Sequence, residues 1–297
     1  KETVTLLSAL KARLGDVRYV KGCGHLDAAE PVDELLSKLE GIETVIFASG
    51  ITPFLEGEQG DAGGFPGFEG GDRTKIELPQ VQKDMIAALH KAGKKIILVN
   101  FSGSAMALTD ETACCEAILQ AWYPGQDGGT AIVDVLYGDY NPCGKLPLTF
   151  YKSTEQLPDF SDYNMAGHTY RFFGGEALWE FGYGLSYTTF KVGKPRVRDG
   201  KVVVKVRNKG KVDGTELVQL YVSKPGDVGG PIRTLRGYKR VTVPAGKSVK
   251  VEIPLDDETF LWWDEPAQDM VPTHGKYVLQ VGNSSAAKDL RKRGYRF

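Results

Sequence analysis

The sequence predicts an α/β sandwich, which is a mostly parallel β-sheet with helices on both faces, followed by an all-β sandwich. In the first half, apolar runs of strand length alternate with segments of helical periodicity, the pattern typical of a parallel sheet. From Phe190 onward the apolar period is two, with turn signals between the runs. We therefore predict an α/β domain over residues 1–151, an aromatic and glycine-rich connector packed on it over residues 152–189, and a β-sandwich over residues 190–297.

The elements of the first part follow from their apolar spacing and end signals. Helices are predicted where apolar residues recur every three or four positions, and strands where short runs are apolar or β-branched. In chain order, the pattern predicts helix 3–14, strand 17–21, helix 31–39, strand 44–48, a helix from Pro79 to Gly93, strand 95–101, a short helix after Gly103, strand 117–122 and helix 128–137. The run KIILVNF at 95–101 suits a strand that is buried on both faces.

In the last part, alternating patterns predict strands with one buried and one exposed face. They lie at residues 202–206, 217–222, 249–253 and 277–281. Glycine-containing turn signals between them indicate an antiparallel sandwich of about seven strands. Trp262 and Trp263 are neighbours here, and adjacent residues of a strand point to opposite faces, so we expect one of them in the core.

Composition is ordinary for a globular protein and excludes some partners. Apolar residues make up 41% and charged residues 25% of the chain, and the formal net charge is -1, without a basic cluster along the sequence. No apolar run approaches the roughly 20 residues that span a bilayer. We therefore expect neither nucleic acid nor a membrane as a partner. The chain begins directly with a helical pattern rather than a signal peptide, so we expect it to be part of a longer protein. We expect that longer protein to be periplasmic or secreted, while the sequence itself leaves the compartment open.

No metal site and no cofactor are predicted. The four cysteines are too few for a disulfide framework, and none has metal-ligand spacing to a histidine. No GxGxxG motif lies at a strand–helix junction, which argues against a nucleotide.

The most informative segment runs from Gly50 to Arg73 and reads GITPFLEGEQGDAGGFPGFEGGDR. It follows the predicted strand 44–48 and holds eight glycines and several acids, with no regular apolar period. A loop of this length inside a domain is usually functional or disordered. Because ligands of open α/β sheets bind at the carboxyl ends of strands, its placement favours a substrate-binding loop over a merely solvated one.

Four blocks of the sequence carry a family resemblance. They are LEGEQ at 55–59 with GGDR at 70–73, AWYPGQDGGTAIVDVLYGDYNPCGKLPLTF at 121–150, HTYRFF at 168–173 and LWEFGYGLSYTTF at 178–190. Together they resemble the carboxy-terminal part of glycoside hydrolase family 3, the retaining β-xylosidases and β-glucosidases, and they lean towards the β-xylosidase branch. The resemblance implies a fibronectin type III-like fold for the sandwich. It also implies a preceding (β/α)8 barrel, absent here, that carries the nucleophile and most sugar-binding groups.

The same resemblance implies a general acid/base in the block LEGEQ. Retaining glycosidases use two carboxyl groups about 5 to 5.5 Å apart, one as nucleophile and one as acid/base. By its spacing to the following Gly-Asp-Arg block, the family's acid/base corresponds to Glu58. A long insertion at 60–69 separates the two blocks in this sequence, and it leaves Glu56 and Glu69 as alternatives.

Three further residues are candidates for substrate binding or loop support. Asp72 and Arg73 stand together after the glycines of the loop. Arg73 is expected to pair with a carboxylate and so fix the loop, and the alternative is a surface ion pair that contributes little. Trp122, with its neighbour Tyr123, is expected to support the loop or contact the substrate, and the alternative is a packed turn after a buried strand.

The sequence thus predicts part of a retaining exo-glycosidase that releases terminal β-linked xylose or glucose from oligosaccharides. Its partner would be the missing barrel, and without the nucleophile the chain alone is expected to be inactive. The alternative from another class is a non-catalytic carbohydrate-binding or scaffold protein, which would have no reason to keep an acid-rich loop. A phosphorolytic relative, in which phosphate replaces water, is a third possibility.

Overall fold

A parallel sheet forms the centre of the first of two units into which the chain divides. The computed structural model describes residues 2–28, 30–57 and 64–297. The first unit comprises Lys1–Asp139 and Phe150–Gln156. Its central strands in the described chain, in sheet order, are β1 (Thr44–Gly50), β4 (Lys95–Phe101) and β5 (Ala117–Gln120), and both pairings are parallel. A separate two-stranded hairpin joins β2 (Phe68–Glu69) to β3 (Asp72–Arg73).

Helices cover both faces of this sheet. They are α1 (Leu6–Leu14), α2 (Val32–Lys38), α3 (Pro53–Glu56), α4 (Gln80–Lys91), α5 (Thr109–Cys114) and α6 (Gly128–Tyr137). On one face Ile46 of β1 packs against a cluster from α1 and α6 that contains Leu10 and Val133. On the other face Phe47 lies with Leu35 of α2 and Met85 of α4 around Gly22. Ile46 and Phe47 are adjacent, and adjacent strand residues point to opposite faces, so the prediction of a sheet covered on both sides is confirmed.

The second unit is an antiparallel sandwich preceded by irregular chain. It comprises Tyr140–Thr149 and Leu157–Phe297. Its elements are α7 (Thr169–Phe172), β6 (Phe190–Val192), β7 (Arg196–Arg198), β8 (Lys201–Asn208), β9 (Gly214–Ser223), β10 (Thr234–Val243), β11 (Ser248–Pro254), β12 (Leu261–Asp264), β13 (Asp269–Pro272), β14 (Lys276–Gly282) and β15 (Arg291–Arg296). One sheet has the order β10-β9-β14-β15 and the other β11-β8-β6, with β7 also paired to β8. Valines and leucines from both sheets form one core, and Trp262 is buried while Trp263 is half exposed, as the alternation predicts.

Most of the predicted connector groups with the second unit by its contacts. Contacts assign residues 157–189 to the sandwich unit, together with residues 140–149. Tyr170 stacks on Phe181, meets Tyr221 of β9 edge to face, and accepts a hydrogen bond from the Leu235 amide. Tyr170 therefore anchors this segment to β9 and β10 within the second unit.

A buried ion pair fixes the remaining part of this segment. Lys145 lies 2.8 Å from Glu216 of β9, with side chains only 8% and 3% exposed. Asn283 and the Leu217 amide also donate to the Glu216 carboxylate, so its charge is compensated in full. Segment 140–149 is therefore anchored to the sandwich by groups that are far apart in sequence.

The strand predicted at Val17–Lys21 is wrong, because these residues pair in no ladder within the described chain. Instead, Val17 packs on the cluster of α1 and α6, and Arg18 donates to the carbonyls of Lys38 and Glu40. A short alternating pattern reports which side chains become buried. It does not report whether the backbone finds a strand to pair with.

Gly50, the last residue of β1, lies against the backbone of Phe101 in β4. Its φ is +125°, and a Cβ atom there would lie 1.8 Å from the Phe101 carbonyl oxygen. The buried amide of Gln82 also accepts from the Gly50 N–H at 2.8 Å and donates to its carbonyl at 2.7 Å. Only glycine is compatible with this conformation and this contact.

We expect Gly50→Ala to destabilise the first unit by more than about 3 kcal/mol, because it adds a backbone clash to an unfavourable φ. Gly93→Ala is the matched control, since Gly93 has φ +74° but open space around its Cα. It should cost about 1 to 2 kcal/mol from conformation alone. Urea unfolding of the two variants tests this, and equal losses would show that the contact with Phe101 is unimportant.

Candidate active site

Polar side chains form a row across the carboxyl ends of the three parallel strands. Ser49, Asn100 and Gln120 occupy aligned positions on β1, β4 and β5. The Ser49 hydroxyl donates to Asn100 Oδ1 at 3.2 Å, and Asn100 Nδ2 donates to Gln120 Oε1 at 2.7 Å. Gln120 Nε2 in turn donates to Ser102 Oγ at 3.0 Å. The row fixes the level at which the strands end, and the loops that follow them start side by side.

The carboxylate of Glu56 joins the loops after all three strands. Glu56 ends α3, a one-turn helix that begins with Pro53 and is capped by the Thr52 hydroxyl. Its Oε2 accepts from the Gly103 N–H at 2.8 Å, and its Oε1 accepts from the Ser104 N–H at 3.0 Å. The hydroxyls of Ser104 and Tyr123 donate to the same two oxygens. Four donors from two neighbouring loops therefore saturate this carboxylate.

The hydrogen bonds keep Glu56 ionised. Burial acts to raise its pKa, but the donors Ser104, Tyr123 and Gly103, together with the positive charge of Arg73, outweigh that effect, and the pKa lies below its ordinary value. The reverse holds for the phenol of Tyr123, whose pKa is raised by burial and by its hydrogen bond to the carboxylate. At neutral pH the pair is a carboxylate that accepts and a phenol that donates.

Arg73 reaches the same cluster from the hairpin. Its Nη1 donates to Ser104 Oγ at 2.6 Å and to the Ala105 carbonyl at 2.9 Å. Burial lowers its pKa, whereas the charge of Glu56 raises it, and an arginine keeps its charge in such surroundings. Its Nε and Nη2 are buried and have no hydrogen-bond partner among the described residues. Among the described residues, Arg73 and the Glu56 carboxylate are linked through Ser104, and the predicted direct pairing of Arg73 with a carboxylate stays a prediction.

Trp122 and Tyr123 point in different directions from the end of β5. Trp122 has φ +57°, which is uncommon for a residue with a side chain, and its ring meets the buried Phe150 edge to face at 6.1 Å. Tyr123 is 39% exposed and reaches Glu56. In this structure Trp122 thus packs on the core of its own unit, and Tyr123 is the residue of the pair that faces the loop cluster.

The remaining candidates lie further along the glycine-rich segment. Glu58 lies outside the described residues. Glu69 and Asp72 are exposed and stand directly opposite each other in the β2–β3 hairpin. Gly103 and Ser104, which the sequence argument did not select, complete the cluster. Their signal was their place directly after a buried strand, at the same sheet edge as the acid-rich loop.

The described residues contain neither a metal-binding cluster nor a membrane-spanning helix. Within residues 2–28, 30–57 and 64–297, no group of three or more His, Cys, Asp or Glu side chains is arranged to hold a metal ion. No helix in the same part of the chain has the length and apolar character for crossing a membrane.

Comparison with known proteins agrees with the fold. Residues 1–187 match the glycosyl hydrolase family 3 C-terminal domain, and residues 216–285 match a fibronectin type III-like domain. The chain is 48% identical to a xylan 1,4-beta-xylosidase of Xylanibacter ruminicola, over 98% of this chain and 35% of that protein. It is 33% identical to a periplasmic beta-glucosidase of Salmonella typhimurium, over 96% of this chain and 42% of that protein.

A solved structure shows the same arrangement of elements. The crystal structure of a GH3 beta-glucosidase from Bifidobacterium adolescentis superimposes with a TM-score of 0.83 at 26% identity, covering 100% of this chain and 46% of that one. The chain thus spans less than half the length of these relatives. With one family domain matching residues 1–187 and this likeness in fold, the chain belongs to glycosyl hydrolase family 3.

Proposed function

We propose that this chain is the acid/base-bearing part of a retaining exo-glycosidase that releases terminal β-linked xylose or glucose. The observation that carries the proposal is the Glu56 cluster, which ties an acid-rich loop to the carboxyl ends of the parallel strands in a family 3 chain. The similarity to a xylosidase at 48% identity supports xylosides as the first substrates to test.

Within this proposal Glu58 is the general acid/base and Glu56 is a positioning residue. A general acid must hold a proton near neutral pH, which requires a raised pKa. Glu56 has the opposite environment, with four donors and a lowered pKa. Glu58 is two positions after Glu56, which the cluster holds in place. The cluster would therefore bring Glu58 to the sheet edge. Glu69 remains the alternative from the exposed hairpin.

The second carboxyl group would come from outside this chain. Covalent glycosidase chemistry needs a nucleophile as well as an acid/base. Because the chain spans 35% to 42% of its curated relatives, the remainder of a longer protein would supply the barrel and the nucleophile. A scaffold protein without chemistry is the alternative outcome of the experiments below.

We expect the chain alone to release no aryl-xyloside or aryl-glucoside product above background, because it lacks the nucleophile. A chromogenic assay at high protein concentration, with the full-length protein as positive control, measures this. Activity that disappears on changing one acid within this chain would refute the split site.

In the full-length protein, Glu58→Gln should reduce hydrolysis of a natural disaccharide by about 10² to 10⁴-fold. Hydrolysis of an activated nitrophenyl glycoside should lose much less in the glycosylation step, because that leaving group needs no proton. Azide should restore turnover of the activated substrate and give a β-glycosyl azide, because it attacks without a general base. If Glu69→Gln shows this pattern and Glu58→Gln does not, the residue choice is wrong; if neither does, the acid/base lies elsewhere.

Glu56→Gln should behave differently from Glu58→Gln in both activity and stability. In the full-length protein it should slow natural and activated substrates by similar factors, without azide rescue. In the chain as it stands, it should lose about 1 to 3 kcal/mol of unfolding free energy at neutral pH, because the carboxylate's donors lose their partner. The pKa of Glu56 is lowered on folding, so this stability difference is present above its ordinary value of 4.5 and shrinks as pH falls below it. Urea unfolding between pH 3 and 7, a range set around that value, provides the measurement, and a difference that is independent of pH would contradict it.

A further inference from the structure

The outer face of one sheet of the sandwich carries an unusual concentration of positive charge. Along β8 exposed and buried residues alternate, with Lys201, Lys205 and Arg207 pointing outward and valines pointing into the core. The neighbouring strands β6, β7 and β11 add four more exposed cations. We call this surface the basic face, and its cations are Lys191, Arg196, Arg198, Lys201, Lys205, Arg207 and Lys250.

Several of these cations stand directly opposite each other across the ladders. The pairing register places Lys205 opposite Lys250, Arg207 opposite Lys191, and Lys201 opposite Arg198. Like charges in such positions destabilise a sheet. The chain contains nearly equal numbers of acidic and basic residues, with a formal net charge of -1. The cations are therefore concentrated on this face and are not part of a general excess of positive charge.

Little of this charge is neutralised within the protein. Glu252 forms ion pairs with Lys250 at 2.7 Å and with Lys201 at 3.4 Å. Within residues 2–28, 30–57 and 64–297, the other five cations of the basic face have no ion-pair partner. The face is therefore electrostatically incomplete and suits an anionic ligand.

A trough between the cations gives such a ligand a place to lie. A cavity of about 550 Å³ opens beside Gly193, with the half-buried Val203 among its lining residues. Its charged lining residues are all cations: Lys194, Arg196, Arg198, Lys205 and Lys250. An apolar patch flanked by cations can accept the apolar face of a sugar ring, while arginine binds a carboxylate in bidentate fashion.

The chemistry of the face distinguishes between classes of polyanion. No aromatic residue among those the structure describes lines the trough, so bases have no surface there on which to stack, as single-stranded nucleic acid requires. Nor does a large exposed apolar side chain lie among these residues, as binding to a lipid surface would need. The outward cations repeat about every 6.6 Å along a strand and about 4.8 Å across strands, so a polymer with several carboxylates can contact more than one of them.

We propose that the basic face binds an acidic polysaccharide, namely a β-linked glycan that bears uronic acid groups. The anion site follows from the sheet itself, whereas the choice of a glycan rests on the proposed function. The face would hold the polymer by its charged substituents, independently of hydrolysis.

The test is calorimetric titration of the full 297-residue chain with a glucuronic acid-substituted xylan at low salt. The same polymer after reduction of its carboxyl groups is the ligand control. The test variant is Arg196→Gln with Lys205→Gln. The matched control is Lys292→Gln with Arg293→Gln, which removes the same charge from exposed positions on β15 of the other sheet.

We expect the test variant to weaken binding by about tenfold or more, since it removes two charge-assisted contacts, and the control variant to weaken it less than about twofold. The carboxyl-reduced polymer should bind at least about tenfold more weakly than the acidic one. The test variant should also melt no lower than the parent, because it relieves repulsion between Lys205 and Lys250.

Absence of binding, equal weakening by both variants, or equal affinity for the reduced polymer would overturn the proposal. Equal affinity for a single-stranded oligonucleotide of similar charge would also overturn it, because the face would then bind any polyanion. Binding to the xylan in a full-length protein that hydrolyses no β-glycoside would refute the proposed function and leave the basic face intact.

Discussion

The parallel register of β1, β4 and β5 is the constraint on which the candidate site depends. Because Ser49, Asn100 and Gln120 lie in one row, the three strands end at one level and their loops emerge side by side. Glu56 can therefore reach the Gly103 and Ser104 amides, which are almost fifty residues away in the sequence. A shift of one residue in this register would turn each of these side chains to the other face of the sheet.

The carboxylate of Glu56 is stabilised by donors on two loops and by the nearby positive charge of Arg73. A half-buried carboxylate is costly unless donors surround it, and here two amides and two hydroxyls do so. The buried Arg73 has a similar cost, which its contacts with Ser104 and Ala105 and the nearby charge of Glu56 reduce. Such a network is rigid, and rigidity is what a reacting group on the adjacent loop requires.

Periodicity in the sequence was enough to predict the type and order of most elements, including the opposite faces of Trp262 and Trp263. It failed where the outcome depended on a partner distant in the chain. The segment at Val17–Lys21 has strand-like alternation but pairs with no strand in the part of the chain that the structure describes. The acids of the loop were visible in the sequence, but the Ser104 amide that binds one of them was not. The basic face was hidden for the same reason, since its cations are spread over four strands and only the ladders bring them together.

Ser104 holds together the two ends of segment 57–72, since Glu56 before it and Arg73 after it both bind Ser104. A segment whose two ends are held together pays a closure entropy that grows only with the logarithm of its length, about 0.6 kcal/mol for each doubling. Insertions and deletions between these ends therefore cost little stability, whereas changes at the base disturb the sheet edge. Evolution or protein engineering can thus vary the length of this segment almost independently of the fold. A change in its length also changes the space available above the strand ends.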